Sequence, residues 1–167
     1  MSKYVKGNLI NLFYKGADGY NFFAYGQNHS LNVSSTTTSI SSKDHGNHPD
    51  TEVQETTFTF GGEFYFNKEN DNTALAMANA AVPITFCFAE TTEQNAADGL
   101  APVTGTGTQQ SWTPGSDFKQ YGNVIITSFQ ITANQGDVAT CSIEGTGVGA
   151  LSATEPTSTN LHPWPAE

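Results

Sequence analysis

The sequence predicts a mainly β fold with one short helix. Only 13% of the 167 residues are charged, against about a quarter in an ordinary globular domain. In their place stand 22 Thr, 13 Ser, 14 Asn and 16 Gly, which favour strands and turns and are poor helix formers. A hydrophobic content of 37%, with 11 Phe and 6 Tyr, is enough for one core. An all-helical fold and a wholly disordered chain are therefore both excluded.

The charge balance limits the partners of the protein. Six Lys, no Arg and 16 acidic residues give a net charge of -10, so the surface lacks the cations that grip phosphates. Nucleic-acid recognition is excluded as a leading function. No run of 18 apolar residues could span a bilayer, and residues 1–7 are too polar to begin a secretory signal. We expect folding in a cytoplasm without membrane insertion, and Cys87 and Cys141 as reduced, buried thiols.

Alternating residues predict two long strands that form a hairpin. Residues 29–40 are β-prone and rich in Ser and Thr, and residues 53–67 show strict alternation. In the second strand, Phe58, Phe60, Gly62, Phe64 and Phe66 share one face, while Thr57, Thr59, Gly61, Glu63 and Tyr65 share the other. The hairpin therefore has an apolar and a hydroxylated face. The adjacent glycines 61 and 62 predict a bulge or a bend.

Shorter signals complete the predicted order of elements. We expect an opening hairpin (8–14 and 20–25), a helix (71–81), a strand (84–88), and a second hairpin (124–132 and 138–149) around a turn at 134–137. Asp71 or Asn72 would cap the helix and Pro83 would stop it, with Leu75, Ala78 and Val82 against the sheet. Residues 90–118 show no periodicity and predict a long loop. The Pro-rich tail, 155–167, should be extended and mobile unless a neighbour holds it.

The chain shows no domain boundary. We expect a single domain over residues 1–151, with a flexible N-terminal arm at 1–7 and the long loop at 90–118. Residues 152–167 would form a Pro-rich C-terminal extension.

The candidate chemical motifs argue against an enzyme. His45 and His48, with Asp44 and Asp50 nearby, are too few and too poorly oriented to predict a metal site. No Gly-x-Ser-x-Gly elbow supports a Ser-His-Asp triad, and the glycines at 145–149 lack the lysine of a phosphate loop. Glu63 and Glu144 are expected to be solvated acids rather than an acid/base pair. The sequence therefore predicts no catalytic residues, no metal and no cofactor.

Several motifs occur in an order that is typical of one family. A Ser/Thr strand ends in Thr-Ser-Ile-Ser-Ser-Lys-Asp at residues 38–44, and a long aromatic strand and one helix follow. Residues 122–133 then read Gly-Asn-Val-Ile-Ile-Thr-Ser-Phe-Gln-Ile-Thr-Ala, and residues 136–147 read Gly-Asp-Val-Ala-Thr-Cys-Ser-Ile-Glu-Gly-Thr-Gly. The order resembles that of the major tail tube proteins of tailed bacteriophages. The resemblance covers most of residues 6–151, apart from 90–118, and excludes the tail.

The resemblance implies a β-sandwich or barrel-like subunit with one short helix. Six copies would form a ring with an inner β-barrel built from the long hairpins, and stacked rings would form a conduit for the genome. The implied partners are further copies of the protein itself, a tape-measure protein, and terminator or baseplate proteins. DNA would pass through the tube without specific binding. The location would be the virion tail, assembled in the bacterial host cytoplasm.

Two sets of residues are implied at the surfaces of such a tube. The expected contacts between rings or subunits are Ser42, Lys43, Asp44, His45, His48, Trp112 and Trp164. The expected lumen-facing residues are Thr36, Thr38, Thr57, Thr59 and Glu63.

Two other functions remain open from the sequence alone. Trp112, Trp164 and the Asn/Asp-rich loops could serve a carbohydrate-binding β-sandwich, either an adhesin or a tail-associated lectin. The inner-tube subunit of a contractile tail or a type VI secretion machine would share the tube fold. Trp112 and Trp164 could equally lie at the rim of a subunit contact.

Overall fold

The protein folds as one open antiparallel sheet with a helix on one face. The computed structural model describes residues 10–17, 19–22, 26–41, 43–44, 46–66, 68–91 and 114–165. The elements are β1 (Ile10–Lys15), β2 (Tyr20–Phe22), β3 (Gly26–Ile40), β4 (Asp50–Tyr65), α1 (Lys68–Ala80), β5 (Ile84–Thr91), β6 (Pro114–Thr132) and β7 (Thr140–Ser152). Their order in the sheet is β2-β1-β5-β6-β7-β4-β3, and every neighbouring pair is antiparallel. The predicted mainly β fold with one helix is confirmed for the described residues.

The apolar face predicted for β4 forms the centre of the core. Phe58, Phe60 and Phe64 are at most 4% exposed, and they pack with side chains of β1, β5, β6 and β7. Phe66 follows the end of β4 and is 41% exposed, so the prediction fails at this one position. The alternation of β4 thus fixes which face of the sheet is internal.

Glycines on β6 and β7 make room for the rings of β4. A Cβ at Gly147 would collide with the ring of Phe58, and one at Gly145 would collide with the ring of Phe60. At both glycines the closest atom therefore belongs to an aromatic side chain of β4.

The bulge predicted at Gly61 and Gly62 is absent. Both residues pair in register with β3 and with β7. The irregular positions of the β3–β4 ladder lie between Gly26 and Asn28 and between Thr36 and Thr37. Gly61 instead provides space for a neighbouring side chain, since a Cβ there would lie 2.9 Å from the Ser30 Oγ.

The helix starts earlier than predicted and presents a different residue to the sheet. It begins at Lys68, so Asp71 and Asn72 lie inside it rather than at its cap. Ala74 and Met77 are almost fully buried, whereas Leu75 is 42% exposed. Ala78 and Val82 pack on the core as expected. The prediction for Leu75 was wrong because it considered only the hydrophobicity of Leu75. Burial of Met77 sets the rotation of the helix about its axis, and that rotation turns Leu75 towards solvent.

The long loop is shorter than predicted at both ends. Strand β5 continues to Thr91 and β6 begins at Pro114. Lys119 pairs with Ala89 and Gln120 with Phe88, although residues 114–120 mix Pro, Gly, Asp and Lys and show no alternation. Residues 92–113 of the predicted loop, and the predicted arm 1–7, lie outside the described residues.

The C-terminal segment is held by its own chain, contrary to the expected mobile tail. We call residues 153–165 the C-terminal strap. The Thr85 amide donates to the His162 carbonyl at 2.9 Å, and the His162 amide donates to the Thr85 Oγ1 at 2.8 Å. The Trp164 amide donates to the Lys15 carbonyl at 2.8 Å. The strap therefore joins the ends of β1 and β5.

A second, smaller apolar cluster lies on the opposite face of β1, β5 and β6. It contains Phe13, Cys87, Ala89 and Tyr121. Burial raises the pKa of the Cys87 thiol to about 12. Cys87 and Cys141 are both buried and free, which confirms the prediction of reduced, buried thiols. The described helix is too short and too polar to cross a membrane.

Candidate assembly surface

The five residues predicted to face a lumen lie on one face of the β3–β4 hairpin. Cross-strand partners in an antiparallel ladder share a face. Asn32 pairs with Thr59, Ser34 with Thr57, and Asn28 with Glu63. Thr36 and Thr38 follow Ser34 at two-residue steps on β3, so they share this face with Thr57, Thr59 and Glu63. It is the face opposite the buried phenylalanines.

This polar face continues onto β7 and β6, which the sequence-based list of lumen residues missed. Thr59 pairs with Thr146 and Glu63 with Ser142. On the next strand, Gln130 pairs with Ser142. We call the combined surface the hydroxyl face: Asn28, Ser30, Asn32, Ser34, Thr36, Thr38, Glu55, Thr57, Thr59, Glu63, Ser128, Gln130, Thr132, Thr140, Ser142, Glu144 and Thr146. The alternation of β7 carried the signal, but register with β4 was needed to place these residues on the same face.

Side-chain hydrogen bonds link hydroxyl groups across the strands of the hairpin. Ser34 Oγ and Thr57 Oγ1 are 3.3 Å apart. On the other face of the hairpin, Ser35 Oγ and Thr56 Oγ1 are 2.9 Å apart. Such pairs stabilise a sheet by roughly 0.2–1 kcal/mol each, so hydroxyl groups here replace part of the apolar packing that a two-sided core would give.

The charged groups of the hydroxyl face are all acidic. Glu55, Glu63 and Glu144 belong to it, and every described lysine lies outside it. The Asn28 Nδ2 donates to the Glu63 Oε2 at 3.3 Å. A surface that carries carboxylates and hydroxyl groups without cations does not attract phosphates.

The outer edge of β3 and one edge of residues 125–132 of β6 carry no ladder among the described residues. β3 pairs only with β4, so its outer edge is open. β6 pairs with β5 from Pro114 to Val124, and residues 125–132 then pair on one side only, with β7. These edges bound the four-stranded section β6-β7-β4-β3. Open edges of this length are templates for pairing with another chain.

The same section has hairpins that project at its two ends. β4 pairs with β7 only from Thr59 to Tyr65, so residues 50–58 pair with β3 alone. We call residues 33–40 and 50–58 the β3–β4 arm. At the opposite end, residues 133–139 form the β6–β7 turn, which the Asp137 amide closes on the Asn134 carbonyl at 3.2 Å.

The predicted contact residues fall into three groups. Lys43, Asp44 and His48 are exposed in the loop at the tip of the arm. Trp164 lies elsewhere and packs against the core of its own chain. Ser42, His45 and Trp112 lie outside the described residues. No group of three His, Cys, Asp or Glu side chains among the described residues is arranged to hold a metal ion.

Solved structures share the fold of most of the chain, although no family model and no curated protein matches the sequence. The first is the tail of an empty gene transfer agent particle with C6 symmetry, at a TM-score of 0.66 and 14% identity, covering 91% of this chain and all of that one. The virion of the native gene transfer agent particle matches at 0.66 and 15% identity, with the same coverage.

The tail tube of SPP1 matches at a TM-score of 0.61 and 12% identity, covering 92% of this chain and 82% of that one. This chain has the tail-tube fold. With identities of 12–15%, the likeness establishes the fold alone. The tail-tube fold of this chain includes the described strands β3, β4, β6 and β7, whose open edges and hydroxyl face are the candidate assembly surface.

Proposed function

We propose that the protein is a structural subunit of a tail tube, in which rings of six copies stack into a conduit for a genome. One observation carries the proposal: a four-stranded section with two open edges also has the hydroxyl face, on which polar side chains predominate beside Tyr65, the partner of Thr140, and Ile125, the partner of Thr146. The tail-tube fold and the C6 symmetry of the gene transfer agent tail support it.

Pairing of the two open edges would close the ring. Along the section, β6, β7, β4 and β3 alternate in direction, so β3 of one copy runs antiparallel to β6 of the next. Residues 125–132 of β6 and the outer edge of β3 then complete each other's ladders. Six copies of four strands make a continuous barrel, and closure removes edges that would otherwise promote aggregation.

The hydroxyl face is proposed to line the lumen. The opposite face carries the phenylalanine core and α1, so only the hydroxyl face is free to face inward. Thr36, Thr38, Thr57, Thr59 and Glu63 would lie on the inner wall. A wall of hydroxyl groups and carboxylates repels phosphates, so DNA passes without specific binding.

The remaining contacts are proposed for the tip of the arm. Lys43, Asp44 and His48, with Ser42 and His45, would meet the next ring, and Trp112 would lie at a subunit contact. Trp164 is better explained by packing on its own core. A structural role in the virion tail requires no catalysis, and a tape-measure protein inside the tube and terminator or baseplate proteins at its ends complete the proposal.

The test is the assembly state of the purified protein. We expect hexameric rings by light scattering and hollow tubes by negative-stain electron microscopy. Amide hydrogen exchange should slow at β3 and at residues 125–132 on assembly. The amides of β4 at 59–64, a segment already paired with strands on both sides, serve as the control and should change little. A protein that stays monomeric at high concentration would contradict the proposal.

A carbohydrate-binding function would be tested by a glycan array. Trp164 is partly buried against the core and is a poor platform for sugar stacking. We therefore expect no saturable glycan binding by the assembled protein.

A further inference from the structure

The open edges of β3 and β6 each carry two apolar side chains on the core face, the face of the sheet that holds the phenylalanines of β4. Each of the four pairs with a buried residue of the adjacent strand: Leu31 with Phe60, Val33 with Phe58, Phe129 with Ile143 and Ile131 with Cys141. Val33 is 53% exposed and Ile131 is 44% exposed. Apolar side chains beside an unpaired strand edge indicate the face on which another chain packs.

Backbone hydrogen bonds show which residues face the open edges. The Phe66 amide donates to the Ala139 carbonyl at 2.8 Å, next to the pair of Tyr65 with Thr140. Hydrogen-bonded and non-hydrogen-bonded pairs alternate from there across the section, because successive residues of a strand direct their backbone groups to opposite sides. The residues whose amides and carbonyls point away from the section are therefore the same four: Leu31, Val33, Phe129 and Ile131.

Only some registers are open to an antiparallel pairing of these edges. Residues that pair share a face, so each core-face residue of β3 must meet a core-face residue of β6. β1 lies beside the start of the β3 edge, because the His29 side chain is hydrogen-bonded to the backbone of Ile10. A partner strand therefore has room only from Ser30 onwards, and Ser30 is the earliest residue that can meet Thr132, the end of β6.

The apolar side chains select one of the remaining registers. With Ser30 opposite Thr132, the further pairs would be Leu31 with Ile131, Asn32 with Gln130, Val33 with Phe129 and Ser34 with Ser128. All four apolar side chains are then matched on the core face, and the hydroxyl face has only polar pairs. A slip of two residues leaves Val33 opposite Ile131 as the one match, and a slip of four matches none of the four with each other. A hydrophobic pattern of this kind sets strand register.

We propose that β3 of one copy meets β6 of the next copy in the ring with Leu31 opposite Ile131 and Val33 opposite Phe129. The partner is a second copy of this chain in a head-to-tail contact, so the same seam repeats until the ring closes. The matched stretch ends at Ser128, because the β6–β7 ladder is irregular between Ile126 and Ser128. The register rests on the proposed tube function and adds to it the residues that align neighbouring subunits.

An engineered disulfide tests the register. Asn32 and Gln130 would form a non-hydrogen-bonded pair with Cα atoms about 4.5 Å apart, within the range that a disulfide needs. After mild oxidation of rings, Asn32→Cys with Gln130→Cys should give covalent oligomers up to the hexamer on a non-reducing gel. Ser34→Cys with Gln130→Cys is the matched control, because Ser34 has the same face and strand but lies about 7 Å along β3. The native cysteines are buried and should stay unreactive.

A charge on the core face of the seam tests whether the apolar pairs are needed. Val33→Asp should raise the protein concentration that ring formation requires by about tenfold, because it places a carboxylate against Phe129 in a desolvated contact. Val53→Asp is the control, because Val53 is 59% exposed on the same arm but belongs to β4, which lies away from the seam. Light scattering measures ring formation, and circular dichroism verifies that both variants fold.

The outcomes separate the register from the proposed function. Wild-type protein that forms no rings would contradict the tube function itself. Rings that cross-link through Ser34→Cys rather than Asn32→Cys would overturn the register alone, and so would rings that cross-link equally through both or through neither. Ring formation by Val33→Asp at the wild-type concentration would show that the apolar pairs do not align the subunits.

Discussion

Three glycines shape the core around two phenylalanines. Gly122 and Gly147 contact the ring of Phe58, and Gly145 contacts the ring of Phe60. Glycine normally weakens a strand. Its presence on two adjacent strands is explained by the phenylalanine rings, which occupy the space that a side chain at these positions would need. The large rings on β4 fill the space that the glycines on β7 and β6 leave open.

Gly147→Ala should destabilise the protein because the added methyl group enters the space of the Phe58 ring. Overpacking of a well-filled core costs about 1–3 kcal/mol. The measurement is the free energy of unfolding in urea. In a Phe58→Leu background the same glycine change should cost less, and an equal cost in both backgrounds would show that the ring is not the cause.

His29 connects the far edge of the sheet to β1. It pairs with Gly62 on the core side of β3, and a Cβ at Gly26 would lie 2.6 Å from its ring. Burial lowers the pKa of His29, and its hydrogen bond to the backbone of Ile10 opposes this with a smaller effect. The imidazole is therefore held neutral where the open edge of β3 comes close to β1.

The lowered pKa of His29 predicts a loss of stability in weak acid. The unfolded chain binds the proton first, so the stabilisation is complete above the ordinary pKa of about 6.5 and decreases as the pH falls below it. The slope for one group is at most about 1.4 kcal/mol per pH unit. Urea unfolding between pH 7.5 and 5.5 should therefore show a smaller loss of stability for His29→Gln than for the wild type. The other histidines and the carboxylates are common to both proteins, and equal losses would contradict the prediction.

Among the elements, the C-terminal strap is the one whose role differs most from expectation. A network of hydrogen bonds that starts at the buried Thr85 holds it: the Thr85 Oγ1 donates to the Asn123 Oδ1 at 2.7 Å, and the Asn123 Nδ2 donates to the Asn160 carbonyl at 2.9 Å. Farther along, the Tyr20 hydroxyl donates to the Glu155 Oε1 at 3.0 Å. With the bond from the Trp164 amide to Lys15, the strap is fastened by polar contacts to four strands: β1, β2, β5 and β6.

Thr85→Val should release the strap without changing the volume of the side chain. Thr85 is fully buried, so the change leaves the Asn123 Oδ1 and the His162 amide without a partner, at a cost of about 1–3 kcal/mol. Limited proteolysis with mass spectrometry should show faster cleavage in residues 153–165. Thr157→Val is the control, because Thr157 is exposed in the strap and its hydroxyl lies 3.1 Å from that of the nearby Thr159. Equal cleavage of the two variants would refute the role of Thr85.

The elements show where sequence was sufficient and where it was not. The period of two in β4 placed Phe58 and Thr57 on opposite faces correctly, because alternation depends on the strand alone. The rotation of α1 could not be predicted, because burial of Met77 rather than Leu75 depends on the surface beneath the helix. The strap was missed because its polar contacts with the strands are with residues 37 or more positions away, and no local pattern reports such contacts.

The hydroxyl face was predictable only in part for the same reason. Thr36, Thr38, Thr57, Thr59 and Glu63 were identified from two adjacent strands of one hairpin. Ser142, Thr146 and Gln130 join them through the β4–β7 and β6–β7 registers, which follow from folding of the whole sheet.

For the whole molecule, the distribution of charge matters more than its total. The net charge of -10 is compatible with many functions, but acidic groups on the hydroxyl face suit a channel that must not hold a polyanion. Glu55→Lys, Glu63→Lys and Glu144→Lys together change the net charge from -10 to -4, since each replacement adds two charges. We expect the triple variant to bind double-stranded DNA at low salt and to release it as salt is raised, because phosphate contacts depend strongly on ionic strength.

Fluorescence anisotropy of labelled DNA measures this binding. The control carries Asp44→Lys, Glu90→Lys and Asp137→Lys, which give the same net charge of -4 with changes outside the hydroxyl face. Equal DNA affinity of the two triple variants would show that net charge alone, and not the face, governs binding.

The alternation of β6, β7, β4 and β3 has a consequence for symmetry. A module with an even number of alternating strands meets its neighbour in the antiparallel sense whatever the number of copies. Backbone pairing therefore permits rings of five, six or seven subunits equally. The choice among them must come from the angle at which one four-stranded section meets the next. That angle is set by the size of the side chains along the seam, the proposed contact of β3 with residues 125–132 of β6 of the next copy. Substitutions that enlarge side chains on one side of the seam should change the diameter of the tube before they prevent its closure.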